Sequence, residues 1–396
     1  MEILFVSHKY PPATGGMEKQ SLELIDGVAK HCKVHRLVYR KGEDNLLLFF
    51  LQLNRNILHL LKENPGIQLI HFNDGLIAAL ALFHKGYAHI KRVVTLHGLD
   101  VVFPLPYFQR YILPKFNRYD QLITVSRATA EAAILRGIAP EKITVVKNGV
   151  EHGMATPSPS TLAELSLLYP VLLKHKSYML TLGRPVKRKG FSWFLREVVP
   201  TLPPDFHLLM VGPFEARKSL TERLLGLLPQ KLYHLLTLFL GYPSDQGEIR
   251  KLLKQGHLQD RVTHLGKVPF AHLHTLLAHA SAFLMPNIKV SGDMEGFGLV
   301  CLEASLSGTL VLASDCEGIT DAILPYKNGL LLPAGNALAW KEQLVKVLED
   351  PTFFKQRALE FRDYSRQHYG WEKMALDYVQ VFQDIVQEEI NVRQVG

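Results

Sequence analysis

The sequence predicts an α/β protein made of two open domains, each built on a parallel sheet. Short apolar runs rich in β-branched residues alternate with longer stretches of helical periodicity, as repeated βαβ units require. This alternation lapses over residues 151–177, where we predict a junction and a hinge, and then starts again. The length of 396 residues is enough for two domains of about 200 residues each.

Six strands are predicted in each half of the chain. Those of the first half are residues 3–7, 34–38, 69–72, 92–96, 122–125 and 143–146, separated by helical patterns such as 16–31, 46–63, 76–84 and 127–136. Those of the second half are residues 177–182, 207–211, 262–265, 282–285, 311–314 and 329–332. Because ligands of open α/β sheets bind beyond the carboxyl ends of the strands, we expect the ligand-binding and catalytic residues in the loops that follow strands.

The composition is that of a globular protein, with 47% apolar and 21% charged residues. No apolar run approaches the ~20 residues that span a bilayer, and the opening MEILFVSHKY reads as a first strand and not as a signal peptide. Cys32, Cys301 and Cys316 are too scattered for a disulfide framework or a zinc site. We therefore expect a cytoplasmic protein with reduced thiols, with the inner face of the membrane as an alternative location.

The net charge of +8 is unevenly distributed along the chain. Residues 1–150 carry +7 and residues 171–270 carry +9, whereas residues 271–396 carry −6. A basic body favours polyanions, either phosphates in a cleft or an anionic membrane surface. Nucleic acid is a third option, but no nucleic-acid motif accompanies the charge, and we predict no nucleic-acid partner.

Two loops of the first half carry residues that suit a ligand. Gly15 and Gly16 precede a predicted helix, where the backbone can approach a ligand and the helix N-terminus favours phosphate; a plain strand-to-helix turn is the alternative. His97 follows the fourth strand in TLHGLD. A histidine there can hydrogen-bond a sugar hydroxyl, act as an acid or base, or only cap the loop.

A basic loop follows the first strand of the second half. Arg184, Lys187, Arg188 and Lys189 lie within the segment LTLGRPVKRKG. Four cations at a strand end suit a diphosphate, because Arg binds two oxygens at once and Lys acts as a compact charge. A solvated basic turn is the alternative.

The segment MPNIKVSGDMEGFGLVCLEASLSG, residues 285–308, is the most informative part of the sequence. A strand ends near Met285, a polar loop follows, and EGFG leads into an apolar helix. The glycines on either side of Phe297 allow the backbone over 297–300 to lie close to a ligand, and the helix N-terminus favours negative charge. This segment therefore predicts a second anion-binding helix start.

Two carboxylates in the same segment stand eight positions apart. Glu295 precedes the predicted helix and Glu303 lies about one turn inside it, so both can face one ligand. Carboxylates accept paired hydrogen bonds from vicinal hydroxyls such as those of a ribose or a hexose. We interpret the pair as ligand-binding, because a repulsive pair beside a phosphate site has no evident structural use.

Together these residues resemble the GT-B-fold retaining glycosyltransferases, and more narrowly glycosyltransferase family 4 (the group 1 family), over essentially the whole chain. The family's E-x7-E element matches Glu295 to Glu303, and its R-x4-K element matches Arg184 and Lys189. Its N-terminal glycine loop matches Gly15 and Gly16 followed by Glu18, and its histidine after an N-terminal strand matches His97.

The resemblance implies two Rossmann-like domains facing each other across a cleft, with the acceptor on the first and the donor on the second. The corresponding limits are residues 1–168, 169–368 and 369–396, the last being a C-terminal helix that crosses back to the first domain. The resemblance also implies retention of the anomeric configuration, no essential metal ion, and no cofactor apart from the nucleotide-diphosphate sugar donor, which is UDP- or GDP-linked.

By position, the resemblance implies a role for each matched residue. Glu303 would bind the ribose hydroxyls of the nucleotide, and Glu295 the hydroxyls of the transferred sugar near its C3–C4 edge. His97 would contact that sugar at its 6-hydroxyl, while Arg184 and Lys189 would neutralise the departing diphosphate. The remaining donor contacts would come from Gly15, Gly16, Phe297, Gly298, Leu299 and Val300.

The function that follows is transfer of a hexose to a glycan or lipid-linked acceptor, in cell-envelope polysaccharide or glycolipid synthesis. The basic first half also fits peripheral contact with an anionic membrane. The alternatives are a nucleotide-sugar epimerase, a sugar phosphorylase, for which no pyridoxal-binding motif is found, and a non-catalytic GT-B-fold binding protein. The last would be expected to lose Glu303, Arg184 or Lys189, and all three are present.

One segment departs from the family pattern. Between the strands ending near Gly212 and beginning at Val262 lie about 50 residues, including the apolar helical pair LTERLLGLLPQKLYHLLTLFLGY, broken at Pro229. We interpret this insert, residues 213–260, as an interfacial membrane contact, a dimer surface or additional core.

Overall fold

The computed structural model describes residues 1–155, 161–175, 177–215, 217 and 220–395. It contains two compact units. The first comprises Met1–Val150, Glu295–Phe297 and Tyr369–Gly396, and the second comprises Glu151–Met294 and Gly298–His368. The predicted hinge over 151–177 falls partly outside the described residues. The domain limits after residues 168 and 368 stay predictions, because the units are defined by compactness alone.

The first unit is built on a six-stranded parallel sheet. Its strands are β1 (Glu2–Ser7), β2 (Lys33–Val38), β3 (Ile67–Phe72), β4 (Lys91–Leu96), β5 (Gln121–Thr124) and β6 (Ile143–Val145). They lie in the order β2-β1-β3-β4-β5-β6. The order reverses between β1 and β3, and a reversal of this kind leaves a crevice at the carboxyl ends of the two strands.

Helices cover this sheet. They are α1 (Gly16–Ala29), α2 (Leu46–Glu63), α3 (Gly75–Ala81), α4 (Leu99–Val102) and α5 (Arg127–Ile134), with a π-helical turn at Phe108–Ile112 and 3₁₀ turns at Leu113–Arg118 and Pro140–Lys142. Phe49, Leu53 and Ile57 are the buried residues of α2, at the four-residue spacing that puts side chains on one helix face. They pack into a core with Leu4 and Ile70 of the sheet.

The second unit has its own six-stranded parallel sheet. Its strands are β7 (Met179–Leu182), β8 (Leu208–Val211), β9 (Val262–Gly266), β10 (Ala282–Met285), β11 (Val311–Asp315) and β12 (Leu330–Pro333), in the order β12-β11-β10-β7-β8-β9. This is the dinucleotide-fold strand order, in which the reversal lies between the first strand, β7, and the fourth, β10.

The helices of the second unit include those of the insert. They are α6 (Leu162–Leu168), α7 (Val171–Lys174), α8 (Phe191–Glu197), α9 (Leu220–Leu225), α10 (Gln230–Phe239), α11 (Gln246–Leu252), α12 (Gly256–Gln259), α13 (Phe270–His279), α14 (Leu299–Leu306), α15 (Ile319–Ala322), α16 (Ala337–Glu349) and α17 (Pro351–His368), with 3₁₀ turns at His152–Ala155, Lys187–Lys189 and Val199–Thr201. Helix α10 begins directly after Pro229, as predicted. Within the insert, α11 adds Ile249 and Leu252 to the core, whereas Phe239 of α10 is exposed.

The last helix, α18 (Trp371–Val395), belongs to the first unit and packs on α1. Gly27 of α1 faces Ala375, where the absence of a side chain lets the helices approach closely. The Tyr378 hydroxyl lies 3.0 Å from Thr95 Oγ1, which lies 2.9 Å from His71 Nε2, so buried polar groups join α18 to β4 and β3. The predicted return of the C-terminal helix is confirmed.

All twelve predicted strands are present, with ends that differ by at most two residues. The helix predicted over 76–84 is shorter and ends at Ala81. The chain turns there at Gly86, which has a φ of +99°, and His84 Nδ1 lies 2.7 Å from the Tyr87 hydroxyl across this turn. In the described part of the chain no helix is long and apolar enough to span a bilayer.

Candidate active site

In the second unit, the loops after β7 and β10 meet at the point where the strand order reverses. Lys189 is buried, and its ammonium lies 3.9 Å from Met285 Sδ at the end of β10. Gly190, with a φ of +66°, packs so closely on Pro286 that a Cβ at residue 190 would overlap the Pro286 carbonyl oxygen. The sheet therefore places the predicted R-x4-K loop beside the segment that holds E-x7-E.

The cations of the basic loop differ in their surroundings. Arg184 is exposed, and its Nη1 donates to the Gly241 carbonyl oxygen at 2.8 Å, so the insert orients this side chain. Arg188 donates from Nη1 to both carboxylate oxygens of Asp293 at 3.2 Å, and Asp293 is buried. Arg188 thus holds the polar loop before Glu295 in place, and Lys187 is exposed.

Helix α14 begins where the sequence predicts it. Its N-cap is Gly298, whose φ of +88° favours glycine and which has no side chain of its own to cap the helix. The N–H groups of Leu299 and Val300 are in the first turn, where an α-helix leaves donors without intrahelical partners. Glu303 lies one turn further along and is half-buried. This end of α14 suits an anion, and Glu303 places a carboxylate nearby.

In the first unit, residues after β1 and β3 form a hydrogen-bonded pair at the other strand-order reversal. His8 Nδ1 lies 2.8 Å from Asp74 Oδ2; since a carboxylate only accepts, Nδ1–H donates. Asp74 also caps α3 by accepting from the N–H groups of Leu76 and Ile77 at 3.0 Å. The His8 side chain keeps 10% of its surface exposed, so its Nε2 is the ring nitrogen left for a ligand.

His97, at the end of β4, is held by two hydrogen bonds. Its Nε2 lies 2.8 Å from the Asn73 carbonyl oxygen, which accepts only, so Nε2 carries the hydrogen. Its backbone N–H donates to Asp100 Oδ2 at 2.8 Å. These bonds fix the ring and leave Nδ1 as the nitrogen that can accept from a hydroxyl.

The two carboxyls of this group have opposite pKa shifts. Burial alone would raise the pKa of Asp74, but the His8 ring and the N–H of Ile77 outweigh burial and lower that pKa below its usual range. Burial raises the pKa of Asp100, and the Asp74 carboxylate adds to this rise. Asp74 is therefore the carboxylate that stays ionised beside His8.

Glu295–Phe297 belong to the first unit, and Gly296 packs against the chain at the end of β4. A Cβ at Gly296 would overlap the His97 carbonyl oxygen, and it would lie 3.6 Å from Val125 Cγ2. Only glycine allows this approach. The structure therefore brings His97 and Glu295, which are nearly 200 positions apart in the sequence, into one part of the first unit.

At the glycine loop the structure adds a carboxylate. Helix α1 begins at Gly16, as predicted, and Gly15 is its N-cap. A Cβ at Gly15 would overlap Glu18 Oε2. The Glu18 carboxylate thus occupies the space at the start of α1, where it complements the positive end of the helix, and a phosphate here would require this side chain to move.

Several of these residues were not predicted from the sequence, namely His8, Asn73, Asp74, Asp100 and Asp293. His8 directly follows β1, and Asn73 and Asp74 directly follow β3, so the position after a strand could have indicated them. The hydrogen bond between His8 and Asp74 could not be predicted from the sequence, because the two residues are 66 positions apart. Within the described ranges, no three His, Cys, Asp or Glu side chains are grouped as metal ligands.

The fold and this arrangement of residues are those expected of a glycosyltransferase, and comparison with known families agrees. Residues 171–368 match the family "Glycosyl transferases group 1", and residues 14–153 match "Glycosyltransferase Family 4". The chain belongs to the group 1 glycosyl transferases.

Curated relatives are distant in sequence. The chain is 24% identical over 284 residues to WcaL of Escherichia coli (strain K12), whose name assigns it to colanic acid biosynthesis; the match covers 70% of this chain and 60% of WcaL. It is 24% identical over 323 residues to the amylovoran biosynthesis glycosyltransferase AmsK of Erwinia amylovora, covering 78% of this chain and 69% of AmsK. The chain thus spans about 60% of the first of these relatives.

Solved structures match over nearly the whole chain. HepE of Anabaena, solved in complex with UDP, has a TM-score of 0.72 at 19% identity and covers 97% of this chain and 100% of HepE. Sucrose-phosphate synthase of Thermosynechococcus elongatus has a TM-score of 0.72 at 20% identity, covering 98% and 99%. The predicted fold class, α/β of the GT-B type with two Rossmann-like sheets, is confirmed.

Proposed function

We propose that this chain is a retaining glycosyltransferase that moves a hexose from a UDP- or GDP-linked sugar to a glycan or lipid-linked acceptor. The proposal includes a role in cell-envelope polysaccharide or glycolipid synthesis and a reaction without an essential metal ion. The names of WcaL and AmsK, which refer to colanic acid and amylovoran biosynthesis, support the polysaccharide part. The UDP complex of HepE supports a uridine nucleotide.

The observation that carries the proposal is the arrangement at the reversal between β7 and β10. Lys189, the Arg184 loop and the start of α14 come together there, and all of them favour negative charge. In this proposal they hold the diphosphate, and Glu303 accepts from the ribose hydroxyls. A diphosphate with an attached ribose is the part shared by UDP- and GDP-linked sugar donors.

The same residues lower the barrier to transfer. As the bond between sugar C1 and the diphosphate oxygen breaks, negative charge grows on the leaving diphosphate, and fixed cations and helix N–H groups stabilise it there. The acceptor oxygen bonds to C1 on the face that the diphosphate leaves, and its proton moves to the leaving phosphate oxygen. No carboxylate nucleophile, as used by retaining hydrolases about 5 Å from an acid, is needed.

The first unit supplies the polar groups for sugar hydroxyls. His97 Nδ1 and the Glu295 carboxylate position the transferred hexose in this proposal, since His97 is fixed through Asn73 and Gly296 contacts the same strand end. His8, whose Nδ1 is bound to Asp74, lies at the end of β1, two strands away from β4, and its Nε2 is assigned to an acceptor hydroxyl. Hydrogen bonds from sugar hydroxyls to fixed, partly buried side-chain atoms make the site specific for one sugar without a covalent bond between sugar and protein.

A panel of nucleotide sugars tests the proposal. We expect one or a few UDP- or GDP-linked hexoses to raise the unfolding temperature and to be hydrolysed slowly without acceptor, because binding to the folded state stabilises it. Glu303→Gln should abolish both effects, whereas the control Glu360→Gln, on the exposed side of α17, should keep them. No response to any member of the panel would contradict the proposal.

The same assay separates the alternatives. A nucleotide-sugar epimerase would convert one donor into another without releasing nucleoside diphosphate, and a binding protein would show thermal stabilisation without turnover. Turnover that is unchanged in excess EDTA is expected of the metal-independent reaction. Loss of turnover in EDTA that Mg²⁺ or Mn²⁺ restores would refute metal independence and leave the donor assignment intact.

A further inference from the structure

The insert between β8 and β9 contacts both loops that carry the candidate diphosphate site, all within the second unit. These loops are the basic loop after β7, residues 184–189, and the polar loop after β10, residues 286–294. The contacts come from α10 and the turn that follows it, residues 230–245, which we call the insert bridge. Neither the R-x4-K motif nor the E-x7-E motif includes a residue of this bridge.

At the polar loop the contact is made by His234, a half-buried residue of α10. Its Nε2 lies 2.9 Å from the Ser291 carbonyl oxygen. Because a carbonyl oxygen only accepts, Nε2–H is the donor. Ser291 lies two positions before Asp293, which Arg188 binds. His234 and Arg188 therefore hold neighbouring parts of the polar loop.

At the basic loop the contacts are made by the turn after α10. The Gly241 carbonyl oxygen accepts from Arg184 Nη1 at 2.8 Å, and a Cβ at residue 241 would lie 2.6 Å from that nitrogen. The Asp245 N–H donates to the Pro185 carbonyl oxygen at 2.8 Å. The buried Asp245 carboxylate accepts from the N–H and hydroxyl of Ser192 at 3.0 and 2.6 Å, which fixes the turn to the start of α8.

Additional core does not explain these contacts. Of the residues of α10, only Thr237 is buried, and Phe239 is 61% exposed. The helix therefore adds little apolar burial, although it carries the hydrogen-bond donor for one loop and leads into the turn that binds the other. His234 and Gly241 are seven positions apart, about two helical turns, so α10 spans the distance between the loops.

We propose that the insert bridge pre-organises the diphosphate site, with His234 and Gly241 as positioning residues. His234 acts through the polar loop, and Gly241 acts through the exposed Arg184, whose guanidinium it holds in one orientation. A cation that is oriented before the phosphate arrives stabilises its charge without first having to reorganise. The inference rests on the proposed function, because that proposal assigns a diphosphate to these two loops.

Binding of UDP, GDP and pyrophosphate to the full chain, measured by calorimetry, tests the bridge without requiring turnover. Pyrophosphate carries only the group that the two loops are assigned to. We expect His234→Ala to weaken pyrophosphate and the better-bound nucleotide about 5-fold each, the effect of about one lost hydrogen bond. His234→Gln keeps an N–H donor for Ser291 and should bind within about twofold of the parent. The matched control is His257→Ala, an exposed histidine of the same insert, which should bind like the parent.

A double-mutant cycle tests the contact with Arg184. Gly241→Ala should weaken pyrophosphate about 5-fold in the parent chain, because the added Cβ displaces the guanidinium. It should have little further effect in Arg184→Ala, since Gly241 acts through that side chain. Gly256→Ala is the control, because nothing lies within 4 Å of a Cβ there. Equal losses from Gly241→Ala in both backgrounds would overturn the role of Gly241.

The outcomes separate the bridge from the transferase proposal. Parent-like affinity of His234→Ala would overturn the role of His234 whatever its unfolding temperature, and so would an equal loss in His234→Gln. Unfolding temperatures without ligand show that the variants fold. Binding of UDP or GDP with the expected losses, but without turnover of any sugar donor, would refute the transferase proposal alone. A parent chain that binds none of the three ligands would overturn both.

Discussion

At the scale of single residues, the adjacent cations of the basic loop after β7 differ in burial and in their hydrogen-bond partners. Lys189 is buried against Met285 at the strand-order reversal, Arg188 is bound to Asp293, and Lys187 is exposed. A sequence run of cations cannot show this difference, because burial depends on β10, which is about 90 positions away.

The first prediction concerns Lys189. Replacing it with Ala removes the buried cation to which we assign the diphosphate, and should lower kcat for donor turnover by about 10²- to 10³-fold, the usual effect of losing one stabiliser of developing charge. Lys187→Ala, two positions away and exposed, is the control and should stay within about twofold. Similar activities for the two variants would remove Lys189 from the site.

The second prediction concerns Gly296. Gly296→Ala places a Cβ on the His97 carbonyl oxygen, so the segment around Glu295 must shift; we expect a loss of about 1–3 kcal/mol in unfolding free energy. Turnover should fall as well. Gly256→Ala is the control, because nothing lies within 4 Å of a Cβ at residue 256. Urea unfolding and donor hydrolysis measure both effects, and a neutral Gly296→Ala would refute the close contact.

At the scale of elements, α18 depends on close approach to α1. A Cβ at Gly27 would lie 2.6 Å from Ala375 Cβ. Gly27→Ala should therefore destabilise the protein by about 1–3 kcal/mol, although alanine favours a helix over glycine by about 1 kcal/mol.

The compensating variant provides the control for this third prediction. Adding Ala375→Gly to Gly27→Ala removes the overlap, so the double variant should be more stable than the sum of the two single changes predicts. Strictly additive effects in urea unfolding would mean that the two residues do not touch.

Most strands and helices could be predicted from the sequence. All twelve strands are correct, because each is a short, mostly apolar run that ends at a turn or a polar loop, and α14 begins at Leu299 because the glycines of EGFG leave no earlier start. Contacts between side chains far apart in the sequence could not be predicted. Arg188 and Asp293 are 105 positions apart, and their pairing follows only from the adjacency of β7 and β10.

At the scale of the whole molecule, buried histidines link folding to pH. Burial lowers the pKa of His71 to about 3 and the pKa values of His207 and His264 to about 4, from an ordinary 6.5. The unfolded chain takes up protons near pH 6.5 while the folded protein does not. The stability that these residues contribute is thus present above pH 6.5 and is lost as pH falls toward 4.

The fourth prediction follows from this linkage. The unfolding temperature should fall as pH is lowered from 6.5 to 4. In this range His71→Gln should reduce the slope of unfolding free energy against pH by an amount that corresponds to at most one bound proton. Gln can keep the hydrogen bond to Thr95 and does not titrate. An unchanged slope in this variant would mean that His71 is not kept neutral by burial.

The central claim is retaining transfer from a nucleotide sugar, and the configuration of the product tests it most directly. With the donor that the panel identifies, ¹H NMR of the product at short times reports the anomer as it is first formed. We predict the anomeric configuration of the donor, and the signal should be absent with Glu303→Gln. A product of the opposite configuration would contradict the front-face reaction, and full activity of Glu303→Gln would contradict the assigned site.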